Sequence, residues 1–105
     1  MSEDEHQVEV PPSFIALFVP PGRIKPTASR EHIRERYEFC EDLANMLTET
    51  ASTRLWEMGI AERDVLERIG DGLREGPIGL SPEESTWVLR RLAELLNWED
   101  PFAGT

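Results

Sequence analysis

Apolar residues recur at helical spacing through the middle of the chain, from Ser29 to Gly59. Successive residues of an α-helix turn by about 100°, and this spacing places one apolar stripe on a single helix face. The stripe contains Ile33, Tyr37, Cys40, Ala44, Leu47, Ala51, Leu55 and Met58, and Phe39, Leu43 and Met46 widen it. The opposite side carries Glu31, Glu35, Glu38, Glu41, Asp42, Asn45 and Glu49. We therefore predict one long helix over about 29–58, with its acidic side facing solvent.

Two helices of medium length follow the long one. Val65, Leu66, Ile69 and Leu73 predict a helix over about 61–75, which stops at Gly76-Pro77. The sequence Ser81-Pro82-Glu83-Glu84 combines an N-cap serine, a proline in the first helical position and a glutamate that closes a capping box. It predicts a helix over about 82–97. No segment alternates apolar and polar residues as a strand does.

A short apolar segment lies nearer the N-terminus. Its six consecutive apolar residues, 14–19, stand between Pro11-Pro12 and Pro20-Pro21-Gly22. Phe14, Leu17 and Phe18 fall at helical spacing, so we predict a short helix over about 13–19. The prolines and the glycine of residues 20–27 predict an extended connector after it.

These elements together predict an all-α fold, a small helical bundle in a single helical domain over residues 11–100. A chain of 105 residues is long enough for one such core and too short for two. We expect residues 1–10 to form a disordered acidic tail and residues 101–105 a flexible C-terminus.

The predicted helices differ in length, and the difference leaves apolar surface to be covered. The long helix would span about 45 Å, whereas each medium helix would span about 22 to 25 Å. We expect the medium helices to pack near residues 47–58, which leaves the stripe around Ile33, Tyr37 and Cys40 bare. Residues 14–19 of the same chain can cover it, or a second copy can do so in a dimeric bundle.

Composition narrows the possible surroundings and partners. The formal net charge of −10 repels phosphate backbones and predicts no nucleic-acid partner. Residues 1–5 are acidic, unlike a signal peptide, and no apolar run approaches the roughly 20 residues that cross a membrane. We expect a cytoplasmic protein without a membrane partner. The ten arginines and one lysine indicate a GC-rich genome and a bacterial origin.

Few residues are placed to carry chemistry. The lone cysteine, Cys40, excludes an intrachain disulfide, and its position on the apolar stripe predicts a buried, inert thiol. The histidines lack partners at metal-binding spacing, and Pro26 directly after Lys25 is incompatible with a phosphate-binding P-loop. We predict no catalytic, cofactor-binding or metal site, and no enzymatic activity.

A basic cluster indicates a protein interface instead. Five of the eleven basic residues lie within fourteen positions, with a local net charge of +3: Arg23, Lys25, Arg30, Arg34 and Arg36. They either pair within the chain, as Arg34 would with Glu38 four residues on, or form a docking surface for an anionic partner.

Trp56 is the second such feature, because it projects about 140° from the apolar stripe. It either packs against Trp87, Trp98 or the third helix, or it anchors an interface, where tryptophan is enriched. The candidate interface residues are Phe14, Leu17, Phe18, Arg23, Lys25, Arg30, Tyr37 and Trp56.

Four segments carry a resemblance to a known group. They are Pro12-Ser13-Phe14-Ile15-Ala16-Leu17-Phe18, Pro21-Gly22-Arg23, Arg36-Tyr37-Glu38-Phe39-Cys40-Glu41-Asp42-Leu43-Ala44 and Trp87-Val88-Leu89-Arg90-Arg91-Leu92-Ala93-Glu94-Leu95-Leu96. Over residues 10–98 the chain resembles short, uncharacterised helical proteins of proteobacteria, some of which are labelled "ATPase with chaperone activity". The resemblance implies a bacterial origin and supplies no catalytic motif, and the ATPase label conflicts with the lack of any nucleotide-binding motif.

The sequence therefore favours a small cytosolic adaptor that acts through protein surfaces, as a monomer or a homodimer. The alternative is an acidic mimic that sequesters a basic protein surface. Binding that collapses at raised ionic strength would favour the mimic, because an apolar interface survives salt.

Overall fold

The computed structural model describes residues 9–103. This range contains helices joined by loops, and no strand. Helix α1 spans Pro12–Ile15 and continues as one turn of 3-10 helix, Ala16–Phe18; α2 spans Arg30–Met58, α3 spans Glu62–Glu75 and α4 spans Pro82–Leu96. The predicted all-α class is confirmed, with one long helix, two medium helices and a short N-terminal one. Every boundary lies within one residue of its prediction.

The two ends of the chain fall partly beyond this description. Residues 1–8 of the predicted acidic tail and residues 104–105 of the predicted flexible C-terminus lie outside the described residues, and both stay predictions. Residues 100–103 form a turn in which Asp100 accepts a hydrogen bond from the Phe102 amide at 2.9 Å. The Arg90 guanidinium lies over the Phe102 ring, 5.3 Å from its centroid, which is within the reach of a cation–π contact.

Internal contacts divide the chain into two compact units, and the division falls within α2, after Phe39. In the described part, the first unit comprises residues 9–39: α1, the 3-10 turn, the connector and the beginning of α2. The second comprises residues 40–103: the remainder of α2 with α3 and α4. The single domain over residues 11–100 stays a prediction.

Small residues of α2 and larger ones of α3 and α4 form the core of the second unit. Cys40, Ala44 and Ala51 lie on one face of α2 and are completely buried. The buried hydrophobic residues of α3 and α4 are Val65, Leu66, Ile69, Leu73, Trp87, Val88, Leu89, Leu92 and Ala93. The predicted burial of the Cys40 thiol is confirmed.

The capping box at the start of α4 forms as predicted. The Ser81 hydroxyl accepts a hydrogen bond from the Glu84 amide at 3.0 Å, and the Glu84 carboxylate accepts one from the Ser81 amide at 3.0 Å. Both backbone amides would otherwise lack a helical partner, and a cap of this kind stabilises a protein by about 1 kcal/mol.

One ion pair ties α4 to α2 in the second unit. Arg91 Nε and Nη2 each donate to a different carboxylate oxygen of Glu41, both at 2.8 Å. The Asn45 amide also donates to Glu41 at 3.2 Å, and Arg91 Nη1 donates to Glu94 at 2.7 Å. A planar guanidinium matches a carboxylate in this two-bond geometry, which is stronger than a single exposed contact.

Two predictions about α2 are wrong at this contact. Glu41 does not face solvent with the other acids, because its side chain is only 20% exposed against Arg91. The packing also reaches beyond residues 47–58: α4 meets α2 at Glu41, while Met58 at the far end of the stripe is 45% exposed. The small side chains of Cys40 and Ala44 leave room for a neighbouring helix at this level, whereas a tight contact at Met58 would have to accommodate its longer side chain.

Hydrogen bonds from Arg91 hold the pKa of the Glu41 carboxyl below its ordinary value of 4.5. A carboxyl whose pKa is lowered by folding stabilises the protein above its unfolded pKa, and this stabilisation is lost as pH falls through the folded pKa. Glu41→Gln should therefore lower the free energy of unfolding by about 1 to 2 kcal/mol at pH 7. In urea unfolding experiments at successively lower pH, the difference in unfolding free energy between wild type and variant should shrink. It should approach zero once the pH lies below the pKa of Glu41 in the folded protein.

Glu94→Gln is the matched control, because Glu94 bonds to the same guanidinium but its side chain is 72% exposed. An exposed ion pair contributes little, so its deficit at pH 7 should be less than half that of Glu41→Gln. Equal losses of unfolding free energy in the two variants would contradict a larger stabilising contribution from the Glu41 contact.

Two glycines in α3 provide a matched test of its packing on α4. A Cβ at Gly70 would lie 2.8 Å from Leu89 Cδ1, and Leu89 is only 3% exposed, whereas a Cβ at Gly72 would have nothing within 4 Å. Gly72→Ala should raise the free energy of unfolding by about 0.5 to 1 kcal/mol through helix propensity. Gly70→Ala should lower the free energy of unfolding, because its Cβ would clash with Leu89. If urea unfolding showed that Gly70→Ala stabilises the protein as much as Gly72→Ala does, this packing of α3 on α4 would be contradicted.

Candidate functional site

An aromatic cluster fixes the N-terminal segment in the first unit. The Phe14 side chain is completely buried, and its ring meets the Tyr37 ring edge-on with centroids 5.6 Å apart. Phe18 lies 5.7 Å from Phe14 and meets the His32 ring edge-on at 6.0 Å. Each such ring pair contributes about 0.5 to 1.5 kcal/mol of stability beyond that gained from the burial of its surface. The apolar segment therefore packs on the beginning of α2 in its own chain, which is the intrachain arrangement of the two that the sequence allowed.

The local sequence explains how so short a helix forms. Pro12 occupies the first helical position, where the missing amide hydrogen costs nothing, and the Pro11 carbonyl accepts hydrogen bonds from the amides of Phe14 and Ile15. The 3-10 turn is closed by the Val19 amide, which donates to the Ala16 carbonyl at 3.2 Å. The prolines that follow cannot continue a helix, so the chain leaves at this point.

The connector is a closed loop, although the sequence predicted an extended one. We name residues 20–26 the basic loop. Its first turn has the Arg23 amide donating to the Pro20 carbonyl at 3.1 Å, with Gly22 at a φ of 79°, the left-handed conformation that the third position of a type II turn requires. At its far end the amide and the hydroxyl of Thr27 both donate to the Phe18 carbonyl, at 2.9 and 3.2 Å.

The tip of the basic loop presents three side chains to solvent. Arg23, Ile24 and Lys25 are exposed, and the exposed fraction of Ile24 is 93%. The described ion pairs include neither Arg23 nor Lys25. The loop therefore holds an aliphatic side chain in water between two cations.

Basic residues at the start of α2 extend this positive region. Ser29 caps the helix by accepting a hydrogen bond from the His32 amide at 3.0 Å, and Arg30 after it is exposed. Arg34 is half-buried, and none of the described ion pairs joins it to Glu38, the example of intrachain pairing that the sequence suggested. The Arg36 guanidinium lies over the Phe39 ring, 5.1 Å from its centroid.

The predicted interface residues thus separate into two kinds. Phe14 is buried, and Leu17, Phe18 and Tyr37 are half-buried, so these four shape the first unit from within. Arg23, Lys25 and Arg30 lie on its surface. Trp56 belongs to the second unit and is 87% exposed, so the predicted alternative of packing against Trp87, Trp98 or α3 is wrong.

Ile24 was missed by the sequence reasoning, which counted its two basic neighbours and passed over the residue between them. The signal was present, because an isolated isoleucine between cations, in a proline-rich loop without periodicity, has no helix face through which to reach a core. A large apolar side chain that stays exposed is more informative about function than one that is buried.

Within residues 9–103 no three histidine, cysteine, aspartate or glutamate side chains cluster so as to hold a metal ion. In the same range no helix combines the length and apolar character needed to cross a membrane.

Protein family descriptions, curated proteins and solved structures were all compared with the chain, and none of them matches it. The resemblance to the proteobacterial group therefore stays a prediction.

Phe14 should control the order of the basic loop. Phe14→Ala removes a completely buried ring and should destabilise the first unit by about 3 kcal/mol, enough to speed hydrogen exchange of the Thr27 amide about a hundredfold. Phe39→Ala is the control in the same unit, because its ring is already 40% exposed, and it should change the exchange rate only slightly. Similar rates in the two variants would contradict the anchoring role of Phe14.

Proposed function

We propose that this protein is a small, non-enzymatic cytosolic adaptor that acts by binding other proteins through the basic loop. The observation that carries the proposal is the 93% exposure of Ile24 between Arg23 and Lys25, in a loop closed at both ends by hydrogen bonds. Water does not favour an aliphatic side chain in this position, and burial of an isoleucine against a partner contributes about 1.5 to 3 kcal/mol.

The closed loop favours recognition because its shape exists before a partner arrives. Ordering a flexible segment at an interface opposes binding, by about 0.5 to 1.5 kcal/mol for each side chain that is immobilised. The Gly22 turn and the two hydrogen bonds of Thr27 have already fixed the loop backbone. The partner that fits is a shallow apolar pocket with carboxylates at its rim, which would guide the two cations during encounter.

A second candidate function, the acidic mimic, is favoured by the charge of the second unit. Residues 40–105 carry six basic and fourteen acidic residues, a net charge of −8. Within this unit, α2 has an acidic face on which Asp42 and Glu49 are exposed. Glu41 does not contribute to this face, because Arg91 occupies its carboxylate. A basic protein surface could still meet the remaining acids.

Ile24→Ser should abolish partner capture by the purified full-length chain, because it removes the apolar contact and keeps both cations. Wild-type and variant chains, immobilised through a C-terminal tag, would be exposed to the same cell extract, and bound proteins would be quantified by mass spectrometry. The proteins lost with Ile24→Ser define the partners of the loop. We expect their binding to persist when the ionic strength is raised, since the contact is mainly apolar.

Ile78→Ser is the control, since Ile78 is another loop isoleucine but is only 38% exposed. It should leave the captured proteins unchanged. Identical captured proteins for wild type and Ile24→Ser would contradict binding through the basic loop. Capture that ignores Ile24 and is lost as salt rises would support the acidic mimic instead.

A further inference from the structure

Trp56 forms a second exposed apolar site, which the basic loop does not account for. The indole lies in the last turn of α2, three residues before Gly59, and 87% of it is exposed. Tryptophan is the residue type most often found to dominate the binding energy of an interface when it is buried there. In the second unit, no other large apolar side chain among the described residues is as exposed.

The surroundings of Trp56 favour a cation. Glu49 lies about two helical turns before it on the same side of α2, and Glu57 follows it directly. These two glutamates also line a shallow surface depression of about 330 Å³, together with Thr50, Thr53 and Arg54. Two acidic residues and one basic residue therefore line this depression. We name Trp56 with this depression the Trp56 surface.

The end of α2 adds to the negative potential. Backbone dipoles place about half a negative charge at the C-terminus of a helix, and a basic residue in the last turn usually offsets it. The last turn of α2 has no basic residue and contains Glu57 instead. A cation supplied from outside would compensate both the carboxylate and the helix end.

The basic loop has the complementary properties. Its tip presents Ile24, the most exposed large apolar side chain in residues 9–103, between the cations of Arg23 and Lys25. The two most exposed apolar side chains of the described chain thus stand in environments of opposite charge, one in each unit. Each copy of the protein carries both halves of a contact.

We propose that two copies of this chain associate by docking the basic loop of one copy on the Trp56 surface of the other. Ile24 packs against the indole, and Lys25 or Arg23 enters the depression between Glu49 and Glu57. This inference rests on the proposed role of the basic loop in binding protein and names a second copy as an occupant. The copies repel each other through their net charge of −10, but salt near physiological strength screens that repulsion beyond about 8 Å and leaves the direct contacts in place.

Sedimentation of the purified full-length chain over a wide concentration range tests the proposal. The wild type should associate reversibly, and Trp56→Ala and Ile24→Ser should each raise the Kd at least about tenfold. Met46→Ala is the control, because Met46 is another apolar residue of α2 and is 67% exposed. It should leave the Kd unchanged. A wild-type chain that stays monomeric, or variants that all behave alike, would overturn the proposal.

Reversal of charge tests the pairing itself. Lys25→Glu and Glu57→Lys should each weaken association at least about tenfold, since each places like charges at the contact. Mixed together, the two variants should associate again, because Glu at position 25 then meets Lys at position 57. Circular dichroism would establish that both variants keep the helical content of the wild type. No recovery in the mixture of folded variants would overturn the proposed pairing.

The outcome separates this inference from the proposed function. A monomeric wild type that still captures partners through Ile24 would refute self-association and leave the adaptor role standing. Association that depends on Trp56 and Ile24, without capture of any other protein, would support self-association and count against the adaptor role.

Discussion

Burial of the Phe14 ring against Tyr37 is the constraint on which the geometry of the first unit depends. The ring fixes a helix of one turn that could not persist alone, since isolated helices of this length are unstable in water. The 3-10 turn that follows places the Phe18 carbonyl where Thr27 can bind it twice. One buried side chain thereby determines the shape of a loop whose own tip has no contact with the interior.

The second unit is organised by a different kind of contact. The small residues of α2 are buried, and two hydrogen bonds between Arg91 and Glu41 join α4 to α2 at one level. An apolar stripe alone permits neighbouring helices to slide by a turn, because every turn offers similar surface. A guanidinium and a carboxylate matched atom for atom permit one arrangement, so the ion pair adds specificity to a core that burial already stabilises.

Local sequence was sufficient for the helices but not for the surfaces. Ser81, Pro82 and Glu84 define a helix start through contacts within four residues, and the structure shows all of them. Glu41 and Arg91 are separated by fifty residues, and their pairing depends on how the helices cross, so periodicity placed Glu41 wrongly in solvent. The basic cluster was identified from spacing alone, whereas the closed loop depends on a carbonyl of the 3-10 turn. The sequence allowed two interpretations of Trp56. Helical periodicity gives the side of α2 from which the indole projects, but it does not show whether another helix packs there.

The exposed tip of the basic loop also carries Lys25, the only lysine of the chain. Its ammonium group is therefore the one side-chain amine available to acylating reagents, and it lies at the tip of a loop proposed to bind protein. Coupling the chain to a solid support through amines would consume this group and cover the loop, whereas attachment at the C-terminus would leave it open. Acylation of this lysine, in the test tube or in a cell, would likewise erase one of the two charges beside Ile24.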